Sequence, residues 1–139
     1  MSILIVGYSY IRDAHRRAFD YYPENNGVFF LLPKIWKARG GAVTFLAPVG
    51  DNIITADAYF SHSHYPLVGG LFKGLMPALP LVLWKSRKTK KINLIYSCSE
   101  PTLLTTLYNG FWAKSFGIKH VVFSWENIPY EKKFRGVKF

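Results

Sequence analysis

Of only eight acidic residues in the chain, two stand where chemistry needs a carboxylate. Glu100 falls in Ser97-Cys98-Ser99-Glu100-Pro101 and Glu126 in Trp125-Glu126-Asn127-Ile128-Pro129, each directly after an apolar run of strand character. A carboxylate at a strand end, facing a cleft, can hold a hydroxyl in line or accept its proton. A structural role is open to each: Glu100 can cap a helix and suit its dipole, and Glu126 can be satisfied by loop N–H groups. Both would face one cleft, and Glu126 is the candidate for the catalytic role. A third stretch, Gly7-Tyr8-Ser9-Tyr10-Ile11-Arg12, follows the first apolar run. A dinucleotide-binding turn would carry three spaced glycines there. Gly7 stands alone, which argues against a nicotinamide or flavin oxidoreductase. His62-Ser63-His64 offers two imidazoles, but a zinc site wants three or four protein ligands. No Cys or carboxylate supports the pair, so loop or surface histidines and no metal are expected. The single cysteine, Cys98, excludes an intramolecular disulfide and fits a reducing compartment.

The elements that must position these residues follow from periodicity. Ile92–Tyr96 reads as a buried strand. Pro101 suits the first position of a helix, with Ser99 or Glu100 as cap. Leu103, Leu104, Leu107, Tyr108, Phe111, Trp112 and Phe116 recur at helical spacing and are expected to face the core. Gly117 ends that helix, and His120–Ser124 is a second strand, completing a βαβ unit. Upstream, Ile3–Gly7 is a first buried strand, Asp13 a cap for a helix near Ala14–Tyr22, and Val28–Leu32 the next strand. Ala42–Leu46 suggests a short edge strand and Ile53–Phe60 another. This alternation implies an α/β fold: a Rossmann-like, doubly wound, mostly parallel sheet with helices on both faces, as one domain over residues 1–139.

Eighteen Lys and Arg against eight Asp and Glu give a formal charge of +10, which favours an anionic partner. The longest apolar region, Tyr65–Trp84, contains Lys73 and is interrupted by glycines and prolines. A crossing helix needs roughly 20 continuous apolar residues, so partial burial or lying in a membrane interface is expected instead. The cluster Lys85, Arg87, Lys88, Lys90, Lys91 that follows reads either as an interfacial anchor or as a solvated helix end with a polar loop. Aromatics at 17% among basic residues raise single-stranded nucleic acid. No RNA-binding signature accompanies them, and many fall on strands or on the periodic helix, so no nucleic-acid partner is expected.

Taken together, Leu32-Pro33-Lys34-Ile35-Trp36-Lys37, Ser99-Glu100-Pro101 and Trp125-Glu126-Asn127-Ile128 resemble the amino-terminal domain of glycosyltransferase family 4 enzymes of GT-B fold. The similarity runs from Ser2 to about Tyr130. The resemblance implies one of two Rossmann-like domains facing across a cleft, this one receiving the acceptor while the other holds a nucleotide-sugar co-substrate. It implies no bound cofactor and no metal, because basic side chains and a helix amino terminus neutralise the leaving diphosphate. Transfer would retain anomeric configuration, onto a lipid-linked or cell-envelope glycan, with the protein cytoplasmic and peripheral on the inner membrane face. Gly7, Tyr8, Ser9 and Arg12 would lie near the donor phosphates, Glu100 would shape the floor, and Trp125 and Asn127 would contact the acceptor. Glu126 would orient its hydroxyl, and Trp36 would pack behind the site. Many relatives carry a histidine where Trp125 stands, and a more glycine-rich first loop.

Nothing here resembles the donor-binding domain. The chain is therefore expected to be a fragment, a truncated frame or a subunit that needs a separate donor-binding partner, inactive by itself. The alternative is non-enzymatic: a basic α/β module that docks on an anionic membrane or a partner protein.

Overall fold

Aliphatic runs without polar alternation suit strands covered on both faces, and that is what they form. The computed structural model describes residues 1–22, 27–37, 43–60, 71–98 and 104–123. In chain order these give β1 (Ser2–Val6), α1 (Asp13–Arg16), β2 (Val28–Pro33), β3 (Ile35–Lys37), β4 (Thr44–Leu46), β5 (Ile53–Ala56), α2 (Leu79–Thr89), β6 (Ile92–Cys98), α3 (Leu104–Ser115) and β7 (Lys119–Phe123). The main sheet has five strands in the order β5-β2-β1-β6-β7, every pair parallel. This is a Rossmann-like α/β sheet whose strand order reverses between β1 and β6, the place where open α/β sheets take ligands at their carboxyl ends.

Strand alternation divides the core in two. Leu4, Val6, Leu31, Ala56 and Ile95 face α2 and α3, meeting Leu79, Leu83 and Ala113. Ile3, Ile5, Phe30, Leu32 and Cys98 face the other way, covered by Tyr10, Phe19 and Tyr22. The cover on this second side is slight: α1 is a single turn, flanked by 3-10 turns at Tyr8–Ile11 and Arg17–Phe19. The expected helix over Ala14–Tyr22 is thus shorter and tighter. Asp13 makes no capping hydrogen bond. It sits in the first turn and pairs with Arg16 at 3.1 Å and Arg17 at 2.9 Å.

Two strand expectations change. The segment expected at a sheet edge becomes β4, which pairs antiparallel with β3 as a separate hairpin. Proline ends β2 at Pro33, and Lys34 both donates its N–H to Ala56 and accepts from Ala47, turning the chain out of the sheet. The run Ile53–Phe60 is a strand only to Ala56, after which Tyr59 bridges to Leu75.

The largest difference is the rotation of α3. Its apolar stripe does not all face inward: Leu107 is 67% exposed and Phe111 61%. Thr105, Thr106, Asn109 and Ala113 are buried instead. The reason is polar and steric. The Asn109 amide donates to the Ser97 hydroxyl of β6 at 3.1 Å, and small side chains let the helix approach the sheet closely. Among the described residues, no helix is long and apolar enough to cross a membrane.

Candidate functional site

The loop that leaves β1 at the switch point builds the site. Gly7 is buried there, and a Cβ on it would lie 3.2 Å from the Cys98 carbonyl oxygen. A side chain there would force the ends of β1 and β6 slightly apart. Cys98 is buried, and its thiol donates a long bond, 3.9 Å, to the Ser9 hydroxyl. The Tyr10 phenol is packed against Tyr96 and Cys98, and burial pushes its pKa far up, so it stays protonated and anchors the loop from beneath.

Arg16 fixes the same loop from outside. Its guanidinium donates to the carbonyls of Tyr10 at 2.7 Å and Ile11 at 2.8 Å and to the Asp13 carboxylate. His15 Nδ1 lies 2.8 Å from the Ser9 carbonyl. A carbonyl only accepts, so the ring proton of that bond is on Nδ1. Held on both sides, the loop presents Tyr8, Ser9 and Arg12 to a pocket of about 270 Å³ completed by Ile11, His15, Trp36 and Phe45.

The hairpin supplies the aromatic wall. Trp36 and Phe45 are register partners across β3 and β4, so their side chains project from one face. Trp36 stacks on Tyr8 with ring centroids 4.0 Å apart and planes 9° from parallel. The Arg12 guanidinium lies 4.9 Å from the centroid of Phe45, a cation–π distance. A second cation approaches from the chain before α2: the Lys73 ammonium is 5.0 Å from the Tyr8 centroid. Lys73 is held by its carbonyl, which accepts from the Thr105 hydroxyl at the start of α3. Gly74, next to it, has φ +72°, and a Cβ there would come within 2.9 Å of the Tyr8 ring. Glycine therefore serves both the backbone turn and the close approach.

The pocket thus combines flat aromatic faces with fixed positive charge at the carboxyl edge of a parallel sheet. Such a combination can stack a ring and neutralise a phosphate. Of the residues singled out in the sequence, Tyr8, Ser9 and Arg12 line this pocket, and Gly7 begins the loop that carries them. Trp36 packs behind Tyr8 and also lines the pocket. His15, Phe45 and Lys73 were missed as site residues. The first two lie in unremarkable local sequence, and Lys73 is a lone cation in an apolar stretch whose approach to Tyr8 is made only by folding.

Glu100, Trp125, Glu126 and Asn127 lie outside the described residues, as do His62 and His64. The strands that lead to the first four are placed: Cys98 and Phe123 are register partners on β6 and β7, and Cys98 adjoins Gly7. Among the described residues, no group of three or more metal-ligating side chains converges. Comparison with protein-family models, with curated proteins and with solved structures gave no match.

Proposed function

We propose that this chain is the acceptor-binding half of a glycosyltransferase that moves a sugar from a nucleotide-sugar to a lipid-linked or cell-envelope glycan. One observation carries the reading: the pocket of Tyr8, Ser9, Arg12 and Trp36 at the carboxyl edge, beside the switch point between β1 and β6. Arg12, which lines the pocket, supplies positive charge that a departing diphosphate needs in a site without a metal ion. Phe45 and the half-exposed Tyr8, backed by the buried Trp36, offer apolar contact for a sugar or base ring. Glu126 orients or deprotonates the acceptor hydroxyl, with Trp125, Asn127 and Glu100 shaping the acceptor side. Retention of anomeric configuration and a peripheral position on the inner membrane face belong to the same proposal.

The test is a titration of nucleotide-sugars, with glycan acceptors, against the chain supplied with a donor-binding domain. Saturable turnover is expected from the pair and none from the chain alone. Glu126→Gln in that assembly should lower turnover about a hundredfold, the usual scale for an acid–base group, with the melting temperature unchanged. Full activity of the variant, or a loss matched by unfolding, would return Glu126 to a structural role. Turnover by the chain alone would remove the two-part reading.

A second reading has its own observation. On α2, Leu81 and Trp84 are 59% and 66% exposed, beside Lys85, Arg87 and Lys88. Apolar groups next to cations on an outward helix face suit docking on an anionic membrane, with or without enzymatic activity.

A further inference from the structure

The opposite end of the sheet holds a larger cavity that shares only Arg87 with the readings above. It has a volume of about 650 Å³ and opens at the amino edge, between the last turn of α2, the end of α3 and the starts of β6 and β7. Leu83, Phe116 and Ile118 form its apolar part, and Arg87, Lys91 and Lys119 its charged part. Leu83 is almost wholly buried, so the apolar side is a floor and not a rim. The volume is within the usual range of small-molecule sites, roughly 300–1,000 Å³.

The charge needs explaining. Among the described residues, the ion pairs involve Arg16, Arg17 and Lys34, and no carboxylate lines the cavity. Arg87 suits the carbonyl end of α2, where a cation is favoured by the helix dipole. Lys91 and Lys119 lie outside both helices, beside the starts of β6 and β7, and are not accounted for in that way. Nor does the whole basic cluster collect here, since the Lys90 ammonium sits 4.3 Å from the Phe29 centroid. All three cations are exposed at the cavity mouth, where their summed positive potential over an apolar floor favours an anion.

We propose that this cavity binds an anionic amphiphile, its phosphate or carboxylate head between Arg87, Lys91 and Lys119 and its apolar chain against Leu83, Phe116 and Ile118. The apolar floor distinguishes this ligand from a simple inorganic anion, and the cations distinguish it from a neutral lipid. The site is at the other end of β1 from the Tyr8 pocket and stands whether or not the chain belongs to a transferase.

Calorimetric titration of the full chain with decyl phosphate, kept below its micelle concentration, tests the proposal. One saturable site is expected, with affinity falling about fourfold per methylene as the tail is shortened through octyl to hexyl. Lys91→Gln and Lys119→Gln should each weaken binding about threefold or more. The double variant should nearly abolish it, with circular dichroism unchanged. Lys37→Gln, on β3 and outside the cavity, should leave it intact. Equal binding of inorganic phosphate or of a neutral decyl glycoside would overturn the proposal, as would unchanged affinity in the double variant. Vesicles containing phosphatidylglycerol, with Trp84→Ser as background so that docking through the outer face of α2 is weakened, identify the source of the head group. Sedimentation lost in the double variant means that a bilayer supplies it. Sedimentation that survives there, while decyl phosphate binding is lost, means a free amphiphile.

Discussion

Ser97 has no exposed surface, yet its hydroxyl ties three elements together. It accepts from Asn109 of α3 at 3.1 Å and lies 2.9 Å from His120 Nε2 of β7. A hydroxyl that accepts from Asn109 can give its own proton to a neutral imidazole, which satisfies all three groups. Burial lowers the His120 pKa from its ordinary 6.5, because the charged ring would lose solvation without gaining a carboxylate among the described residues. The sign follows. The folded state prefers the neutral ring, so the contribution of His120 to stability is complete above pH 6.5 and is lost as pH falls from there toward the folded pKa. Urea unfolding from neutral to mildly acid pH should show stability falling more steeply in the wild type than in His120→Gln. Identical slopes would mean that the ring titrates as freely folded as unfolded.

At the scale of the element, α3 shows how a periodic stripe can mislead. Leu104, Tyr108, Trp112 and Phe116 lie along one side and are partly buried, while Leu107 and Phe111 point outward and Ala113 is sealed against the sheet. Phe111→Ser should therefore change stability by no more than about 0.5 kcal/mol, as for an ordinary surface position. Ala113→Leu should cost about 1–3 kcal/mol by overpacking. Chemical denaturation of the two variants decides between this arrangement and a core-facing Phe111, for which the order of the two losses would be reversed.

For the molecule as a whole, α2 and α3 cover the same face of the sheet, and their outward sides carry Leu81, Trp84, Leu107 and Phe111. Lys85, Arg87 and Lys88 lie on α2 beside them, and the formal charge is +10 overall; the proposed docking on an anionic bilayer would use this layer. Co-sedimentation with liposomes should rise with anionic lipid and weaken with salt, since the Debye length shortens to about 8 Å at 0.15 M. Trp84→Ser should weaken partition about tenfold, the value of burying one large apolar side chain. Binding indifferent to lipid charge, or unaffected by this change, would leave the layer as ordinary protein surface. If the proposed transferase activity is present, loss of membrane binding in the variant with transfer to a soluble acceptor intact would separate docking from catalysis.

Runs such as Ile3–Val6 and Val28–Leu32 determined the parallel sheet by themselves, because a strand buried on both faces has no polar alternation to preserve. The strand–helix–strand spacing also put the loop Gly7–Arg12 at the carboxyl end of β1, for the same local reason. Other features were not legible there, because each depends on partners far along the chain. The hairpin that brings Phe45 beside Arg12, the approach of Lys73 to Tyr8, and the cavity shared by Arg87, Lys91 and Lys119 all join separate segments. The rotation of α3 is the clearest case. Seven apolar residues at helical spacing fit more than one inward face, and the hydrogen bond from Asn109 to the buried Ser97, made only once the helix meets the sheet, selected one of them.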